Sequence, residues 1–207
     1  MRIIQGPEDL AEGAEWLARA CPVMAGVLAR VGPLPLRRRP DGFGAILDAI
    51  VGQQVSTASA AAIWGRLQAA GMVEEGAVAA AEEEALRALG LSRPKARYAL
   101  AVARAGVDWA ALRDMPDDQV IARLVALPGV GPWTAEIYAM FALGRADVLA
   151  SGDLALQEAA RVAYGLEARP KAAELAEMAR AWSPWAAVAA RALWAYYRAV
   201  NQREGIR

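Results

Sequence analysis

Apolar residues recur along this chain at intervals of three and four, the period of helices that lay one face on a core. Runs of alternating Val, Ile and Thr of the strand type are missing. The pattern predicts an all-α fold. Ile46, Leu47, Ile50 and Val51 form one stripe that ends at Gly52, and Ala58–Leu67 resumes a second helix after a polar turn that Ser56 or Thr57 can cap. A further helix closes at Leu86, Leu89 and Gly90, and Pro94 suits the first turn of the next, which runs to about Ala105. Asp117 or Asp118 starts a helix that ends at Leu127. After a Gly/Pro hairpin come helices over Pro132–Gly144, about Asp153–Tyr164 and, in two alanine-rich pieces, Lys171–Val200. Gly32–Gly44, which holds Arg37, Arg38 and Arg39, is the clearest break, and two helical lobes flanking a cleft are expected. The arginine trio reads most simply as a solvated loop.

With 207 residues, 57% of them hydrophobic, the chain can bury a sizeable core, and disorder is a poor reading. Its 23 basic and 23 acidic residues balance, so no global field marks a nucleic acid or an acidic membrane as partner. There is no histidine, which excludes a Ser-His-Asp triad, a Cys-His pair, a histidine metal site and a histidine general base. The single cysteine, Cys21, cannot supply an internal disulfide, a four-thiolate zinc site or an iron-sulfur cluster, and a reducing compartment is expected. Met1–Leu10 has no apolar signal core, and Ala181–Val200 is interrupted by Ser183, Pro184, Arg191 and Arg198. These features predict a soluble cytoplasmic protein with no membrane association.

The most informative stretch is Leu127–Ala135, LPGVGPWTA. Gly129 and Gly131 can adopt positive φ and approach a ligand closely, while Pro132 opens a helix whose first amides point outward. Such a turn can hold a phosphate without a basic side chain, which reconciles a neutral chain with DNA binding. For a bare Gly-x-Gly an ordinary helix-helix turn is the better explanation.

The stretch resembles the hairpin of the helix-hairpin-helix DNA glycosylases, and the likeness continues through Asp147–Leu156, DVLASGDLAL. In that superfamily a Gly/Pro-rich loop and then a catalytic aspartate stand at this distance behind the hairpin. Upstream, Gly44–Ser56 (GAILDAIVGQQVS) and Gly90–Ala96 (GLSRPKA) look like the 3-methyladenine DNA glycosylase II branch, as do Trp182-Ser183-Pro184-Trp185 and Leu193-Trp194. The resemblance runs from about Phe43 to Tyr197. Leu149 and Ala150 depart from it, standing where the family loop usually carries an aromatic and a proline. It implies a single glycosylase domain over 1–207, with the helix-hairpin-helix motif at about 117–144, the catalytic loop at 145–153 and none of the extra N-terminal domain of larger relatives.

By this resemblance Asp153 is the catalytic carboxylate, facing a sugar that becomes cationic as the base departs; its plain alternative is a helix cap. By the resemblance Trp133 and Trp194 would line the pocket for an extruded base, where an indole attracts a cationic methylpurine, although from sequence alone core packing is the better reading of Trp133. Trp182 and Trp185 are expected in the core, as are Trp16, Trp64 and Trp109. Gln54 takes the position that fills the gap left by the flipped nucleotide, next to Gln53, though solvated turn amides explain both. Lys95 and Arg93 flank a helix start and could meet phosphate or only water. Asp147 should cap or pair locally, with Arg145 as a candidate, and Glu136 and Glu158 should lie on helix faces. The resemblance further allows a monovalent cation on the hairpin carbonyls of Leu127 and Gly129, and implies no organic cofactor.

The function that follows is a monomeric, monofunctional DNA glycosylase acting on double-stranded DNA at the nucleoid. It would hydrolyse the N-glycosidic bond of alkylated purines such as 3-methyladenine and 7-methylguanine. Bifunctional relatives place a lysine where Trp133 stands, and tryptophan cannot form an imine. Three alternatives stay open: a non-catalytic helix-hairpin-helix DNA-binding module, a glycosylase of the same fold for another base such as uracil or a mismatched adenine, and a helical protein unrelated to DNA. Cys21 alone weighs against the cluster-bearing adenine branch.

Overall fold

A computed structural model describes the backbone of residues 1–203 and the side chains of residues 1–200. In chain order the helices are α1 (Pro7–Ala20), α2 (Pro22–Val31), α3 (Phe43–Gly52), α4 (Thr57–Ala69), α5 (Glu75–Ala80), α6 (Glu83–Ala88), α7 (Arg93–Ala103), α8 (Asp117–Val125), α9 (Pro132–Phe141), α10 (Leu154–Tyr164), α11 (Ala172–Ala179) and α12 (Ala186–Arg203). Among the described residues the only β pairing is the isolated Ile3–Arg145 bridge, and the fold is all-α. None of these helices is long and apolar enough to cross a membrane. The chain divides into two compact units, Met1–Arg38 with Ala139–Arg207, and Arg39–Tyr138.

The first unit is built around α12, which packs on α1, α2 and α10. Ala187, Val188, Ala189, Ala190, Ala192 and Leu193 are all fully buried there. The first turns of α12, apolar on every side but for Arg191, belong in an interior, and their alanines let neighbouring helices come close. Gly13 of α1 does the same from the opposite side, since a Cβ there would stand 2.7 Å from the Trp185 ring. Trp182 and Trp185 are in the core as the sequence predicts, and Trp182 Nε1 donates to Tyr164 Oη at 2.9 Å.

In the second unit the α3 stripe is buried as predicted, with Ile46, Leu47, Ile50 and Val51 all inaccessible, and it packs on α7 and α4. Ser56 caps α4, its side chain accepting from Ser59 N at 3.1 Å. The placement of Trp64 and Trp109 in the core is corrected, as is that of Trp16 in the first unit, because all three are half-buried. Trp109 keeps its edge toward the surface because its Nε1 donates to Glu75 at 2.9 Å. The sequence assigns no helix before Ile46, yet α1 and α2 precede it, each opened by a proline in its first turn.

Candidate functional site

In the first unit the loop that follows α9 is tied at several points although it lacks the family's proline. Ala146 N donates to the Arg2 carbonyl at 3.1 Å, and the Ala146 carbonyl accepts from Ala187 N at 2.9 Å. The expected local pairing of Asp147, with Arg145 as a candidate, is corrected: its partners are distant in sequence, at the start of α12. Asp147 accepts from Ser183 Oγ at 2.6 Å and from Ala186 N at 3.4 Å. Ala150 is buried, and the Gln157 amide donates to the Ser151 carbonyl at 3.0 Å.

This loop delivers Asp153 to the N-terminus of α10. Its Oδ1 accepts from Ala155 N at 2.9 Å, from Leu156 N at 3.0 Å and from Trp194 Nε1 at 3.2 Å. The first two bonds make Asp153 the helix cap that the plain alternative requires. The third comes from a residue 41 positions away and is no part of a cap. Trp194, half-buried, tilts against Phe141 with ring centres 5.8 Å apart. The geometry therefore fixes a half-buried carboxylate at the positive end of a helix with an indole edge on it. Leu154 beside it leaves 61% of its surface exposed, an apolar position that the periodic pattern does not single out.

In the second unit the hairpin between α8 and α9 is held by Gln53, whose Nε2 donates to the Gly129 carbonyl at 3.0 Å and to Thr134 Oγ1 at 3.4 Å. Gln53 is thus a brace and not a solvated amide. Gln54 next to it is exposed and takes φ +54°, a strained value for a residue with a side chain. The two glycines differ. Gly129 has φ +80°, and a Cβ there would meet the Tyr98 ring at 2.2 Å. Positive φ at Gly131 is a correction: its backbone lies outside that region, and a Cβ would meet nothing within 4 Å. No neighbour in its own unit requires a glycine at 131, so its bareness leaves the helix start open to an external group. Trp133, in the first turn of α9, is 40% exposed, which removes the core-packing alternative.

Gln53, Gln54, Lys95, Tyr98, Gly129 and Gly131 line an open groove of about 540 Å³. Lys95 faces it differently from expectation. Its Nζ donates to the Val51 carbonyl near the end of α3 at 2.8 Å, and burial lowers its pKa. Arg93 pairs with Glu83 at 3.6 Å. Glu158 lies on a helix face as expected and pairs with Arg161. Glu136 lies on α9 as expected, but half-buried there, and burial pushes its carboxyl from 4.5 to about 7. A glutamate three residues after a tryptophan carries no sequence signal for this.

The hairpin carbonyls considered for a monovalent cation each accept one hydrogen bond, that of Gly129 from Gln53 Nε2 and that of Leu127 from Val130 N at 3.1 Å, which leaves each a second lone pair.

An all-α chain with a glycine hairpin between two helices and, later in the sequence, an aspartate that caps the next helix fits the helix-hairpin-helix class. The chain belongs to the HhH-GPD superfamily of base excision DNA repair proteins, whose model matches residues 47–185. It is 33% identical over 213 residues to the Probable bifunctional transcriptional activator/DNA repair enzyme AlkA of Mycobacterium tuberculosis, covering 90% of this chain but 40% of that one. The chain thus spans well under half of that relative's length. A solved DNA-3-methyladenine glycosidase from Bacillus halodurans superposes with a TM-score of 0.79 at 31% identity, covering 99% of this chain and 95% of that one. The Schizosaccharomyces pombe 3-methyladenine DNA glycosylase Mag1, solved with abasic DNA, shares the fold at TM-score 0.77 and 22% identity, covering 88% of this chain and 95% of that one.

Proposed function

We propose that the chain is a monofunctional DNA glycosylase that hydrolyses the N-glycosidic bond of alkylated purines in duplex DNA, 3-methyladenine and 7-methylguanine among them. The observation that carries this reading is the bond from Trp194 Nε1 to Asp153 Oδ1, which sets a stacking surface against a carboxylate. A glycosidic bond breaks with positive charge growing on the sugar, and a fixed carboxylate stabilises that charge without reorganising. Water is the nucleophile. Trp194 is assigned to stack on the extruded base, and in the second unit Trp133 to offer an exposed stacking face, Gln54 to fill the gap in the duplex, and the hairpin amides around Gly131 to hold a phosphate. Gln53 supports the hairpin from within. The names of the Bacillus halodurans and Schizosaccharomyces pombe proteins support the substrate class.

The reading is tested by incubating the protein with duplex DNA treated with a methylating agent and chromatographing the supernatant. Free methylpurines support it. Tight binding with no base released would make the chain a DNA-binding module without catalysis.

A further inference from the structure

Arg37, Arg38 and Arg39 follow one another in the Gly32–Gly44 break, and their surroundings differ. Arg39 pairs with Asp48 in the second unit. Arg37 and Arg38 belong to the first unit, where they act on Arg191 of α12. Arg191 is 3% exposed. Its Nη1 donates to the Ala187 carbonyl at 2.8 Å and its Nη2 to the Met140 carbonyl at 3.2 Å, and its guanidinium carbon lies 4.6 Å from the centre of the Phe141 ring. Its Nε is buried with no hydrogen-bond partner.

Among the described residues no carboxylate forms an ion pair with Arg191. Burial, and after it the charges of Arg37 and Arg38, lower its pKa to about 10. Arg38 is fixed on this side by geometry as well, since a Cβ on Gly144 would stand 2.2 Å from Arg38 Nη1. The guanidinium therefore rests on the turn just beyond Met140. A buried guanidinium is ordinarily compensated by an acid. Here further positive charge gathers on it, an arrangement that an anion relieves.

The patch is linked by contact to the candidate catalytic group. Arg191 lies over Phe141, Phe141 tilts against Trp194, and Trp194 reaches Asp153. We propose that Arg38 and Arg191, with Arg37 beside them, form a phosphate site that takes a backbone phosphodiester of the DNA whose nucleotide is presented to Asp153. The choice of DNA as the source of the phosphate rests on the glycosylase reading. Arg38, exposed, supplies the donors that meet the phosphate, with Arg37 exposed beside it, and Arg191 reinforces it from below.

The test is anisotropy of a labelled duplex carrying a stable abasic analogue, titrated from 50 to 300 mM NaCl with the wild type, Arg37→Gln/Arg38→Gln, Arg38→Lys and Arg191→Met. One lost phosphate contact should make the log-log salt slope shallower by about 0.9. The double variant should show that change with roughly tenfold weaker binding at the lowest salt, while Arg38→Lys keeps most of the slope. Arg191→Met, checked for a native melting curve, should weaken binding in the same direction. A parallel arm measures the melting temperature in 10 mM inorganic phosphate against chloride of equal ionic strength. Unchanged slope and affinity in the double variant would overturn the proposal. The same is true if phosphate stabilises the wild type but not the double variant while the duplex slope stays constant, because the site then serves a free anion. The slope is read without catalysis, so a wild type that releases no base would defeat the glycosylase reading and leave this measurement standing.

Discussion

Replacing Asp153 by Asn separates the two roles that the structure gives this residue. Asn caps helices as well as Asp does. Its amide oxygen can occupy the place of Oδ1 and keep the donors Ala155 N, Leu156 N and Trp194 Nε1. Stability should therefore change by less than about 1 kcal/mol. The charge, however, is gone. A carboxylate about 4 Å from a unit positive charge, at an effective dielectric near 20, contributes roughly 4 kcal/mol, which is on the order of a thousandfold in rate. Single-turnover release of methylpurine from a methylated duplex should fall by about that factor, with duplex affinity and melting temperature near wild type. Asp153→Ala is the poorer variant, since it also removes the cap and the anchor of Trp194. If the Asn variant released base within about threefold of the wild type, Asp153 would be a cap only and the charge argument would fail.

Other substitutions probe the remaining parts. Gly131→Val should melt like the wild type, because a Cβ there meets nothing, yet bind duplex more weakly; Gly129→Ala should lose about 1–3 kcal/mol of stability against Tyr98 and its positive φ. Equal duplex affinity for Gly131→Val and wild type would remove the hairpin from the DNA interface. Glu136 holds its proton more tightly folded than unfolded, so its burial costs nothing below about pH 4.5 and its full penalty is present above about pH 7. A fully buried carboxyl moved that far would cost about 3 kcal/mol, and solvent at this half-buried group leaves roughly 1 kcal/mol. Glu136→Gln should accordingly raise the melting temperature at pH 8 and leave it unchanged at pH 4; the opposite order would contradict the burial argument. Borohydride should trap no covalent complex with abasic DNA, since Trp133 stands where a lysine would be needed; an adduct mapped to Lys95, whose pKa burial lowers, would overturn the monofunctional assignment.

Much of the helical order from Ile46 onward was legible because the apolar stripes are long and Ser56, Asp117 and Pro132 mark their starts. The helices before it escaped although Pro7 and Pro22 in the first turns of α1 and α2 are the same start signal as Pro94 and Pro132. The six-residue α5 is too short to show a period. Asp153 and Trp194 could be named only through resemblance, because the bond between them spans 41 positions and is tertiary. The same reason hid the amide of Gln53 turned onto Gly129 and the ammonium of Lys95 turned onto Val51. The hairpin glycines look equivalent in sequence, but packing separates them: one is demanded by Tyr98 and the other by nothing in its own unit.

On the glycosylase reading, the Asp153 carboxylate assists hydrolysis of glycosidic bonds to bases that are already cationic before they leave. A purine methylated at N3 or N7 departs neutral and needs little protonation, and a chain without histidine has no imidazole to supply a proton near neutral pH. Stacking on tryptophan would add about 0.5–2 kcal/mol for the cationic base, so chemistry should dominate the preference. The direct measurement is single-turnover release, side by side, of 3-methyladenine, 7-methylguanine, hypoxanthine and uracil from matched duplexes. Both methylpurines should leave much faster than the two neutral bases. Uracil released fastest would contradict it.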